Sequence, residues 1–180
     1  MNHLDLAPFA HDYDADVVDE LPNDIRAHYF FGQQGSDIAL LVRFVCTGGA
    51  QWVGGFGGGT LTTVACTSVV ASPRAGEAIV VSRGRAYAVD VHNPDRTTVL
   101  VSELVMQVVP YFAAGLILFA DPWVVRAYGI AGMQWTSKRL SVEGLKIVGL
   151  DERGIRVRFE NPDGAFEECH IDLRSGEVAT

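Results

Sequence analysis

Aliphatic runs broken by turn signals recur along this chain and leave little room for helix. Three copies stand out: Ala78–Val91 (AIVVSRGRAYAVDV), Gly115–Ile130 (GLILFADPWVVRAYGI) and Gly144–Phe159 (GLKIVGLDERGIRVRF). In each, an aliphatic run meets a turn and returns as an alternating run, the pattern of a β-hairpin. Upstream, His28–Phe31 and Asp37–Cys46 read as two strands across a Gly32–Ser36 turn, and Thr60–Ala71 as a further strand segment ended by Pro73. Later turn signals, from Ser82–Gly84 to Ser175–Gly176, fall at the spacing of about ten residues that short antiparallel strands produce. One short helix is expected, Asp14 to Leu21, with Val17, Val18 and Leu21 on one side and Pro22 ending it. The pattern predicts an all-β chain. An arm over residues 1–25 precedes a single antiparallel meander domain over 26–180, arranged as a partial propeller, a barrel or a sandwich.

Turn chemistry and charge fix the register of the last third. With Pro162-Asp163-Gly164 as a three-residue loop, Val157 faces Cys169 and Ile155 faces Ile171, while Arg158 faces Glu168 and Arg156 faces His170. A two-residue loop would set Val157 against Glu168 and mix the faces. The same logic at Glu152-Arg153-Gly154 sets Phe159 against Ile147 and Lys146 against Glu160. A three-stranded meander from Leu145 to Leu173 results, with Leu145, Ile147, Val157, Phe159, Cys169 and Ile171 on its apolar face. Leu150 and Phe166 fall on the wrong side.

The segments GLILFADPWVVRAYG and HIDLRSGEV resemble blade strands of β-propellers of the quinoprotein or WD-repeat kind, over Ala78 to Val178. The resemblance implies a binding scaffold. No Trp-Asp dipeptide marks a blade end, and a propeller of about four blades at roughly 40 residues each would strain this length. The stretch GLILFA…AYG…W…RLS…GLKI, Gly115 to Ile147, also resembles a protein group that implies no activity.

Charge changes this picture at one place. The net charge is −8, and seven of the 22 carboxylates (Asp5, Asp12, Asp14, Asp16, Asp19, Glu20 and Asp24) lie before Arg26 with no Lys or Arg among them. The remaining 15 stand against 14 basic residues, so the acidity belongs to the arm. Such a balance excludes a nucleic-acid surface. No basic, apolar leader opens the chain, and Cys46, Cys66 and Cys169 read as reduced core thiols, so a cytoplasmic protein is expected. The apolar stretch Leu104 to Ala120, interrupted by Gln107 and Pro110, reads as two buried strands and a turn, not as a membrane segment.

Candidate chemistry is thin. The glycine run Gly54–Gly59, broken by Phe56, lacks both the GxGxxG spacing and the Lys of a phosphate loop, and reads as a mobile or tightly bent β-connection. Asp12, Asp14 and Asp16 open like a calcium loop, but Val17 and Asn23 stand where its Gly and Glu belong. Glu168, His170 and Asp172 share a face with Arg156 and Arg158, which would repel a cation. No histidine is placed by sequence beside a marked Ser or Cys nucleophile, so no catalytic, cofactor or metal residue is assigned and no cofactor is expected. The residues assigned to an interaction surface are Trp52, Phe56 and Trp123, Trp123 on the strength of its exposed turn.

The expected function is therefore a non-enzymatic protein-interaction module of regulator, adaptor or immunity type, with a protein partner. Two alternatives stand beside it. One is a carrier whose strands around Val80, Ile117 and Leu118 line a barrel cavity for a small apolar ligand. The other is an enzyme whose site is assembled from distant residues.

Overall fold

The computed structural model describes residues 3–7, 9–25, 27–32, 37–59, 65–101, 104–142 and 144–179. The chain is all-β, and the described strands form open sheets without a closed barrel. Two compact units divide it, Met1–Leu104 and Val105–Thr180.

The first unit holds β1 (His3–Asp5), β2 (Tyr13–Val18), β3 (His28–Phe31), β4 (Ile38–Cys46), β5 (Gln51–Gly57), β6 (Ser68–Ala71), β7 (Glu77–Ser82), β8 (Arg85–Asp90) and β9 (Thr98–Val101). They make two sheets, ordered β2-β4-β5-β3 and β1-β6-β7-β8-β9. The acidic segment is part of both. β1 pairs with β6 and β2 pairs with β4, so the helix expected over Asp14–Leu21 is absent and its residues to Val18 form a strand instead. The period-2 alternation of Tyr13 and Ala15, both buried, against exposed Asp14 outweighs the helical spacing of three aliphatic residues. β3 and β4 are both present but do not form a hairpin, since β3 runs parallel to β5; Gln33–Ser36 of the expected turn lie outside the described residues.

As far as Gly57 the glycine run is also strand and not loop. Gly54 and Gly55 sit inside β5, a central strand between β4 and β3. A Cβ on Gly54 would stand 2.6 Å from the Phe56 ring and 3.1 Å from the Trp52 ring, while one on Gly55 would stand 2.6 Å from Phe30. Glycine is required because aromatic rings fold over the strand from both faces. The ring cluster is continuous: Phe44 stacks on Trp52 at 4.5 Å, Phe31 on Phe56 at 5.1 Å, and Phe56 meets Tyr87 edge-on at 5.3 Å. Because Phe56 is held on two sides, Gly54→Ala is expected to cost about 1–3 kcal/mol in urea denaturation. A loss below about 0.5 kcal/mol, the scale of an ordinary surface change, would mean the rings have room to move.

The second unit holds β10 (Gln107–Tyr111), β11 (Leu116–Ala120), β12 (Val125–Gly129) and β13 (Gly132–Thr136) in one meander, and β14 (Lys146–Asp151), β15 (Gly154–Glu160) and β16 (Phe166–Ile171) in another. The apolar stretch to Ala120 is the expected strand pair, β10 and β11, joined through a 3-10 turn at Phe112–Ala114 and left-handed Gly115. Pro110 sits on edge strand β10, where its missing N–H is tolerated. Among the described residues no helix is long and apolar enough to cross a membrane. The Gln107 side-chain amide donates to the Ile147 carbonyl at 3.1 Å and accepts from its N–H at 2.9 Å, copying a strand pairing between β10 and β14.

The β15–β16 register is the expected one, Val157 opposite Cys169 and Arg158 opposite Glu168, and Gly164 takes φ +80° in the loop. The β14–β15 register is not. Gly154 pairs with Asp151 across a two-residue turn, Ile147 faces Val157 rather than Phe159, and Lys146 faces Arg158. A bulge between Ile147 and Gly149 shifts the strand by one residue and returns Leu150 to the core side, where it packs on Ile155 and its neighbours. Phe166 stays outside, 57% exposed, with the Arg158 guanidinium 4.6 Å above its ring.

Candidate functional site: an apolar groove with an acidic rim

Two of the three residues expected at a surface belong to the core of the first unit. Trp52 is 4% exposed and donates its indole N–H to the Val91 carbonyl at 2.9 Å; Phe56 is fully buried. The strand alternation of β5 turns both inward. Trp123 does lie on its turn, in the second unit, half-buried. The Asp121 carboxylate accepts the backbone N–H groups of Trp123 and Val124, the indole donates to the Val142 carbonyl at 3.0 Å, and Arg139 covers the ring at 5.7 Å. Both its polar edge and one face of its ring are thus already engaged.

What sequence reading missed is the outward face of the β2-β4-β5-β3 sheet. Register aligns Val18 with Leu41, Leu41 with Gly55, and Gly55 with Phe30, one apolar row across four strands. Phe30 is 60% exposed, and Ile38 and Leu21 extend the row at 41% and 39%. Together they line a groove of about 390 Å³. Asp19 and Glu20 continue β2 and Asp37 precedes β4; all three are exposed, and Asp19 is itself part of the groove wall. Two residues along each strand, on the same face, Asp16 accepts a hydrogen bond from Arg43 at 2.5 Å. That ion pair keeps the Arg43 guanidinium protonated still more firmly than usual, mainly through the hydrogen bond to Asp16. A legible signal existed, since IALLVRFVC carries aliphatic residues on both faces of one strand.

A second hollow of about 450 Å³, around His11, Asp12, Cys46 and Thr47, is polar and internally satisfied. Asp12 bonds His92 through its carboxylate at 3.0 Å and Thr47 through its carbonyl. The Cys46 thiol is directed at the Val91 carbonyl at 3.6 Å, and burial, then the Asp12 charge, pushes its pKa up, the wrong direction for a nucleophile. Burial likewise raises the Tyr13 phenol, which donates to the Glu77 carbonyl. Asp12 and Asp16 serve different partners, so the alternating carboxylates do not converge. In the second unit His170 turns to Asp151 at 3.0 Å, holding that carboxyl below its ordinary range.

The chain matches no protein-family model, curated protein or solved structure. The groove's geometry therefore carries the functional argument alone.

Proposed function

We propose that the chain is a non-enzymatic protein-interaction module, and that it binds through the outward face of the β2-β4-β5-β3 sheet. The observation that carries this is the groove on that face, with Phe30, Ile38 and Leu21 exposed beside half-buried Val18 and Leu41, where a sheet of this kind would normally show polar side chains. Large side chains in a shallow groove beside a charged rim have the anatomy of a protein contact. A cytoplasmic setting fits its three free cysteines. The carrier alternative gains no support, because Val80, Ile117 and Leu118 are fully buried and the described sheets stay open.

The test is native isolation from the producing cells, comparing the wild type with a Leu21→Ser/Ile38→Ser double variant. Both side chains are exposed, so the fold should persist. Partner yield at fixed bait concentration should fall about tenfold, the effect of losing roughly 1.4 kcal/mol at a contact. A stoichiometric partner retained undiminished by the double variant would contradict the assignment of the groove.

A further inference from the structure

We infer that the groove takes a positively charged segment of a partner protein, one that presents large apolar side chains between Lys or Arg residues. The inference rests on the interaction reading above and deepens it. The apolar row sets the first requirement, since Phe30, Leu41 and Val18 gain only from contact with other apolar surface. The rim sets the second. Asp19, Glu20 and Asp37 stand exposed at the end of the sheet where the groove lies, and none takes part in an ion pair among the described residues. Arg43, a cation of this face, is already taken by Asp16.

A neutral occupant would strip water from the rim carboxylates without replacing it. A second copy of the chain would press the same negative rim against itself, and like charges across a contact are costly. Anionic lipid is repelled for the same reason. A basic segment alone satisfies both the floor and the rim, and the rim would steer its approach in a salt-dependent way.

The experiment titrates the isotope-labelled full chain with three peptides of equal length, alternating Leu–Lys, Leu–Glu and Ser–Lys, and follows backbone and methyl NMR signals. The expected result is that Leu–Lys shifts Val18, Phe30, Ile38 and Leu41, while the other two bind at least about tenfold more weakly. An Asp19→Lys/Glu20→Lys variant, altered only at exposed positions, should lose about tenfold for Leu–Lys and gain for Leu–Glu. Equal binding of Leu–Glu, or shifts spread over the acidic surface with the groove unmoved, would overturn the inference. So would groove shifts that grow with protein concentration alone, which would name a second copy as the occupant. If a partner is caught through the groove by an acidic or uncharged segment, this inference fails while the interaction reading stands. If the groove catches no partner, both fail.

Discussion

Gly154→Ala is expected to destabilise the second unit by about 3 kcal/mol or more, while Gly164→Ala in the next hairpin should cost only about 1 kcal/mol. Both glycines close turns and both have positive φ, +128° and +80°. They differ in what surrounds them. A Cβ on Gly154 would stand 2.2 Å from the Ile171 carbonyl oxygen, whereas one on Gly164 would meet only the tip of Glu160 at 3.8 Å. Ile171 cannot retreat easily. It is fully buried, bridges Val178, and is followed by Asp172, whose carboxylate accepts the N–H groups of Arg174 and Ser175. Those bonds also hold the Asp172 carboxyl below its ordinary range, so the tie is present at neutral pH and weakens only in acid. Urea denaturation of the two variants checks the contrast. Equal losses would mean that β16 moves aside and that its exit is not pinned.

Phe44→Ala should cost the first unit about 3–5 kcal/mol, the range for removing a buried ring from a packed core. Phe44 has no solvent exposure, stacks on Trp52 and meets Tyr13 edge-on at 6.2 Å. Tyr13 and Trp52 also anchor their neighbours, through the Glu77 and Val91 carbonyls, so neither can collapse into the space left behind. Trp52 is the unit's own tryptophan, and its fluorescence reports the transition. A loss below about 1.5 kcal/mol would show that the cluster repacks readily, as volume-conserving cores do.

These two sites also mark where the sequence could and could not be read. The β15–β16 register was legible because two independent constraints agreed: the Pro-Asp-Gly loop and the opposition of Arg158 to Glu168. At β14–β15 the same reasoning failed. Gly154 looks like a loop residue, yet it pairs in the ladder, and the one-residue difference is absorbed by the bulge beside Val148. Nothing in the composition of IVGL announces a bulge there. The aromatic cluster was misread for a related reason. Five glycines around Phe56 suggest a loop, and only the rings of Trp52 and Phe56 on the strand itself, with Phe30 brought in by pairing across strands, make glycine the residue a central strand needs.

The groove lay furthest from view. Val18, Leu41, Gly55 and Phe30 come from four strands whose spatial order, β2-β4-β5-β3, departs from chain order and includes a parallel pair. Hairpin logic, which pairs neighbours in sequence, does not bring them together. The acidic segment was recognised, but as an appendage; pairing β2 with β4 is what turns its charge into a rim.

The most direct test of the binding assignment is photo-crosslinking in the producing cells, with benzoylphenylalanine placed in turn at position 30 and at position 166. Both replace exposed phenylalanines, one in the groove and one beside Arg158 in the second unit. Binding through the groove predicts a discrete protein adduct from position 30 that is missing from position 166. No adduct from position 30, or the same adduct from both, would contradict it.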